Sequence, residues 1–195
     1  MTRRGRIEAA YRLRLSAQIE AKGKVPEPER FIYANFSIEH RPYDQADIDP
    51  DIDPWHFLAE KFAEVAADGV EEIRRAIELI ADSEGPTVVH CASGKDRTGL
   101  IAALILTALD VSEKQILADF ALTELATARL IADWKAANPN RELKWPGYGR
   151  APAAVMQLVL DDLAATYGSA RRYITEQVGI EQRVIKQLRN QLLEP

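Results

Sequence analysis

The chain reads as an α/β domain with a small, mostly parallel sheet flanked by many helices. Three observations predict that class. Strand-like runs are few and short, FIYANFSI and TVVH being the clear ones. From Trp55 onward most of the chain carries helical periodicity or helix start and stop signals. And TVVH runs through a tight loop straight into the apolar stretch LIAALILTAL, a strand–loop–helix unit.

The composition is that of one ordinary globular domain spanning residues 1–195, with 47% apolar and 28% charged residues. No run of apolar residues is long enough for a membrane-spanning helix. The start, MTRRGRIEAAYRLRL, has positive charge but no uninterrupted apolar core, so no cleavable signal is expected. A cytoplasmic location follows as the expectation, with secretion by a non-classical route left open. A single cysteine rules out an internal disulfide and a multi-cysteine metal site, and neither metal nor cofactor is expected. The net charge of -5 makes nucleic acid a poor partner, so any anion site must be local.

Taken in order, residues 1–24 have mixed apolar spacing (Ile7, Tyr11, Leu13, Leu15, Ile19) and are read as an amphipathic helix. VPEPER is a connection, and FIYANFSI alternates like a strand. DQADIDPDIDP is too acidic and proline-rich for an element interior. It reads as a solvated loop or as a lid able to supply an acid; a calcium loop is disfavoured because the central glycine and terminal glutamate are missing. Trp55 to about Ala81 is helical with a break near Gly69, where Asp68 and Glu71 have the spacing of a capping box. Glu84-Gly85-Pro86 ends it, and Thr87–His90 is short and β-branched, as a buried strand is. Thr98 to Leu109 reads as a buried helix. Ser112 with Gln115 starts another, and Asn138-Pro139 stops it. Pro152 suits the first turn of a helix running to Tyr167, and Gly168 its left-handed cap. Helical segments at 169–178 and 181–193 finish the chain.

The only cysteine opens the loop HCASGKDRTG, residues 90–99. Between a strand end and a helix start, backbone N–H groups converge and the helix adds partial positive charge, a nest suited to a phosphate dianion. A thiol at its mouth should ionise well below its free value of about 8.5. Arg97, six residues after Cys91, has the reach to grip two phosphate oxygens with its planar fork. Ala92, Ser93, Gly94, Lys95, Asp96 and Arg97 are accordingly the expected phosphate-binding residues. The chemistry this predicts is attack of the Cys91 thiolate on phosphorus, a cysteinyl-phosphate intermediate and its hydrolysis by water. Thr98 is expected to donate a hydrogen bond to the sulfur, and His90 to order the loop through backbone contacts. The sequence GKD is not the GK[ST] of nucleotide-binding loops.

HCASGKDRTG resembles the active-site loop of the cysteine-dependent tyrosine and dual-specificity phosphatases. Within them it is similar to the atypical bacterial and fungal tyrosine/serine phosphatases, whose loop reads HCxxGKDRTG. GLIAALILTAL and the stretch DDLAATYGSARRYITEQVGI extend the resemblance over roughly residues 25–195. It implies a phosphatase α/β fold, Cys91 as nucleophile, Arg97 as phosphate clamp within the CX5R pattern and Asp96 as candidate general acid. A lysine at the position of Lys95 accompanies activity on phosphoinositides besides phosphoproteins, so both are expected substrates. The N-terminal segment 1–24 is atypical: it contains no NFRDLGG-like stretch, and RLRLS is the nearest counterpart of the family's DLRS, with Arg12 in place of the aspartate. An incomplete sheet edge and a homodimer are the corresponding expectations. Asp44, Asp47, Asp49, Asp51 and Asp53 are further acid candidates, none singled out by the sequence. The alternative function is an inactive phospho-ligand binding module on the same fold.

Overall fold

The computed structural model describes residues 9–12, 32–36, 38 and 43–193. The chain is mixed α/β and mostly helical. The strands are β1 (Ala9–Arg12), β2 (Ile32–Asn35) and β3 (Thr87–His90). They pair in parallel in the order β2-β1-β3, with Arg12 opposite both Asn35 and His90. All three therefore end on one side of the sheet, where ligands of parallel α/β sheets bind.

β1 corrects one expectation. Ala9–Arg12 is the middle strand among the described residues, not part of a helix, because pairing on both edges outweighs a weak local pattern. The rest of segment 1–24, with the RLRLS stretch beyond Arg12, lies outside the described residues.

The helices are α1 (Pro54–Asp68), α2 (Val70–Ala81), α3 (Asp96–Ala108), α4 (Glu113–Ala121), α5 (Thr127–Ala137), α6 (Ala153–Tyr167) and α7 (Gln182–Leu192). α1 starts where Asp53 accepts from the backbone N–H groups of Trp55 and His56 (3.1 and 2.8 Å) and Pro54 gives up a donor no helix start can use. The break at Gly69 is present, but Gly69 itself caps α2 without a side-chain hydrogen bond, so the Asp68–Glu71 capping box is not made. Between α4 and α5 a 3₁₀ turn, Leu122–Ala126, interrupts what reads in sequence as one helix. Gly168 does adopt the left-handed cap, with φ +85°. Beyond it one α-helical turn (Ala170–Arg172) loosens into a π-helical turn (Tyr173–Gln177).

α3 lies at the centre, in contact with α1, α2, α4 and the Ala170–Arg172 turn, while α6 packs on α1 and α4, and α7 on α2. One continuous core joins them, from Leu58 and Phe62 on α1 through Leu100 and Leu104 on α3 to Val155 and Val159 on α6. Tyr173 is fully buried and its hydroxyl donates to the Ala66 carbonyl over 2.6 Å, tying the π turn to α1. β3 is less buried than its composition suggests, Val88 being 39% exposed among the described residues. No described helix is long and apolar enough to cross a membrane.

Candidate active site

β3 ends at His90 and α3 begins at Asp96, so Cys91–Lys95 form the turn between them. The turn is tight because Gly94 takes φ +70°, a conformation that costs any residue with a Cβ. Its far end is anchored by the first hydrogen bond of α3, Gly99 N–H to Lys95 O at 2.7 Å. Gly99 also lets α3 approach α4: a Cβ there would lie 2.9 Å from the Phe120 ring. His90 Nδ1 lies 3.0 Å from the Cys91 carbonyl and donates to it, a contact that holds the start of the loop.

The loop sorts its side chains sharply. Cys91 and Lys95 are each 2% exposed and Arg97 4%, whereas Ala92 and Ser93 face solvent. Two buried cations within three residues, in a chain of net charge -5, concentrate positive charge at this loop against the overall charge. Among the described residues Lys95 Nζ has no hydrogen-bond partner; it pairs with Asp96 Oδ1 at 3.5 Å, which is itself buried without a described hydrogen bond. Asp96 is thus turned along the loop towards Lys95. Thr98 Oγ1 is also buried without a hydrogen-bond partner among the described residues, so the expected bond to the sulfur is not formed here. Thr98 is among the residues that line an apolar groove with Val89 and Ile101.

Beside the loop is a cleft of about 350 Å³, lined by Ser93 and Lys95 but not by Cys91 or Arg97. Ser93 and Lys95 form one wall, Asp44 and Gln45 a second, and Leu130 of α5 with Tyr148 a third. The acidic segment after Tyr43 is therefore a wall of the site, braced against the turn that precedes α6. Gln45 Oε1 accepts from Gly149 N–H at 3.0 Å, Trp145 Nε1 donates to Ile52 O at 3.0 Å, and Arg141 pairs with Asp47. Phe57 stands edge-on to both Tyr43 and Trp145, at 5.6 and 5.4 Å between ring centroids. The Gly149 carbonyl accepts from Thr127 Oγ1 at 2.8 Å, and Glu124 binds Arg150 and the Ala151 N–H, which fixes the same turn to α5.

Electrostatics follow the packing. Burial, then the Asp96 charge, push the Tyr43 phenol well above its ordinary range, with Arg97 partly opposing them. Burial and the Asp44 charge likewise raise Tyr148. The hydrogen bonds from His56, backbone first, hold the Asp53 carboxyl below its usual range. Of the five loop aspartates, only Asp44 reaches the cleft. Tyr43, Gln45, Leu130 and Tyr148 were not foreseen from sequence, and nothing local in the sequence marks them.

A parallel strand leading into a cysteine, a glycine-turned loop with a buried lysine and arginine, and a central helix beginning under that loop define an α/β protein of the strand–loop–helix type, with a cysteine at the mouth of the loop. The chain belongs to the tyrosine phosphatase family, whose model matches residues 3–194. It is similar to a tyrosine-protein phosphatase of Nostoc commune, 31% identical over 122 residues that make up 58% of this chain and 41% of the relative. It is also similar to the triple specificity protein phosphatase PtpB of Mycobacterium tuberculosis, 29% identical over 135 residues, 62% of this chain and 48% of that one. A putative tyrosine-protein phosphatase of Cupriavidus necator matches at 29% identity over 53% of this chain and 38% of its own length. The chain thus spans under half the length of these curated relatives.

Proposed function

We propose that the protein hydrolyses phosphomonoesters through a cysteinyl-phosphate intermediate, with phosphotyrosine proteins as the first substrate class. The observation that carries this reading is the burial of Cys91, Lys95 and Arg97 around one loop between β3 and α3.

In the first step the Cys91 thiolate forms an Sγ–P bond as the ester P–O bond breaks, and the leaving oxygen takes up a proton. In the second, water attacks phosphorus, the S–P bond breaks and inorganic phosphate leaves with the thiolate restored. Arg97 clamps two of the phosphoryl oxygens, and the loop amides of Ala92, Ser93 and Gly94 complete the cradle for charge that builds in the transition state. His90 holds the loop through the Cys91 carbonyl. Thr98 donates to the sulfur in this mechanism, a bond that its Oγ1 does not make among the described residues.

The cleft supports an aryl ester because Tyr148 and Leu130 give it an apolar wall opposite the loop. Lys95 supports activity on more highly charged substrates, phosphoinositides and phosphoserine or phosphothreonine peptides, by adding a second buried cation beside Arg97. The name of the mycobacterial relative, a triple specificity phosphatase, points the same way.

The test is a substrate panel of phosphotyrosine peptide, phosphoserine peptide and soluble phosphoinositide, run with wild type and Cys91→Ser. Turnover by wild type with loss of at least about 100-fold in the variant is expected, since removing a nucleophile that forms the covalent intermediate abolishes that route. Equal turnover by the two proteins refutes the mechanism. Phosphopeptide binding without any turnover by wild type establishes the binding module instead.

A further inference from the structure

Among the described residues β3 has a neighbour on one side only. It pairs with β1 along Thr87–His90, and no described backbone group bonds to Thr87, Val88 or Val89 on the other side. A bare strand edge is a template for another strand, and proteins commonly blunt one with charge. This edge carries Thr87, Val88 and Val89 instead, and Val88 is exposed. Side chains alternate along a strand, and Thr87 and Val89 both line an apolar groove of about 580 Å³. Ile101 and Ile105 of α3 and the exposed Leu192 of α7 line it with them. Its charged lining is of one sign: Glu84, just before β3, and Asp119 on α4 are both exposed, and no described cation joins them.

The geometry points to a docking site for an extended segment of another protein, about four apolar residues with a basic side chain at each end, added as a strand along the outer edge of β3. The segment's main chain pairs with β3, which gives affinity, and its alternate side chains enter the groove, which gives specificity. The two carboxylates bracket the edge lengthwise. Glu84 precedes the strand, whereas Asp119 shares with Gly94 and Thr98 a small pocket of about 110 Å³ at the phosphate-loop end. A cation at each end of the segment therefore meets one of them, and an acidic segment is repelled by both.

The same charges argue against a second copy of this chain as the occupant. Two β3 edges paired antiparallel would bring Glu84 of each copy towards the Asp119 end of the other, like charge against like. The groove shares no described lining residue with the cleft beside the phosphate loop, so the docking site stands apart from the phosphatase reading. Within that reading it holds a partner protein at a distance from the phosphorylated residue.

The probe is a fluorescently labelled peptide, Lys-Val-Thr-Val-Val-Lys, titrated with the full chain and read by anisotropy. Two further versions carry N-methyl groups on alternate backbone amides, in opposite phase. A strand offers one of its edges to β3, so one phase is expected to bind at least about tenfold more weakly and the other to bind like the parent. Replacing both lysines by glutamates is expected to weaken binding about fivefold at low salt and less at high salt. The variant Glu84→Lys/Asp119→Lys, altered at two exposed positions only, is expected to reverse that preference, with an unchanged thermal midpoint as the check on its fold. Equal effects of the two methylation phases, a charge preference that the variant does not reverse, or no binding of the parent peptide at about 1 mM overturns the proposal. Sedimentation of the wild type as a dimer that Val88→Lys dissociates assigns the edge to a second copy and overturns it as well. None of these readouts depends on turnover, so a protein that hydrolyses no phosphate ester leaves the docking test intact.

Discussion

A lysine side chain that is 2% exposed, makes no hydrogen bond to the described residues and sits 3.5 Å from one aspartate oxygen is held at a cost. Burying such a charge is tolerable when paired, and better when an anion completes the pairing. Ligand binding to the native state alone raises stability by about 2.7 kcal/mol at a hundredfold excess over Kd. Inorganic phosphate should therefore raise the melting temperature of the wild type in a saturable way. Lys95→Met should bind phosphate about tenfold more weakly, so that the same concentration gives a smaller shift. An identical shift in the two proteins shows that Lys95 takes no part in the anion site. Without phosphate, Lys95→Met strands Asp96 Oδ1 in the interior, and adding Asp96→Asn should recover part of the loss.

At the scale of elements, the site is a meeting of two kinds of order. The β3–loop–α3 unit is contiguous in sequence, and its parts are visible there: a β-branched strand, a glycine for the turn, an apolar helix. The opposite wall is not contiguous. Gln45 meets Gly149, and Trp145 meets Ile52, across about half the chain, and no local spacing announces either contact. An acidic, proline-containing run such as residues 44–54 has the composition of a solvated loop, and only the partners it finds make it a wall. The same distinction explains β1, whose four residues are a strand because β2 and β3 flank them. It also explains the split between α4 and α5, where the 3₁₀ turn brings Glu124 to Arg150. That pair pins the turn carrying Tyr148 and carries a pH signature. The Arg150 hydrogen bond, ahead of the Ala151 N–H, holds the Glu124 carboxyl below its ordinary 4.5. Its contribution is present above about pH 4.5 and is lost as pH falls through the lowered native value. Because both partners are partly exposed, Glu124→Gln should cost no more than about 1 kcal/mol near neutrality. Denaturation midpoints of wild type and variant should converge as the pH drops below 4; a gap that persists in acid assigns the loss to packing instead.

Across the whole molecule, one core runs from α2 through α3 to α6, and two phenols report on its integrity. Tyr173 is fully buried beside Tyr167, with ring centroids 4.9 Å apart, and Tyr43 is packed between the loop charges and Phe57. Burial is the first cause of a raised ionisation range at both, with the Tyr167 phenol adding to it at Tyr173 and Asp96 at Tyr43. In the unfolded chain both phenols ionise near pH 10, whereas the native state keeps their protons. Above pH 10 the unfolded state therefore binds fewer protons than the native one, and stability falls as pH rises; below it the contribution is intact. The protein should accordingly unfold at lower urea concentration at pH 11 than at pH 9. Tyr173→Phe removes one of the two responsible protons and should flatten that alkaline decline. The substitution also leaves the Ala66 carbonyl without its 2.6 Å donor, at a cost of about 1–3 kcal/mol that is the same at both pH values. A variant whose urea midpoint falls between pH 9 and 11 as steeply as the wild type's shows that the phenol ionises freely in the native state, and with that the tie between the π turn and α1 loses its place in the core.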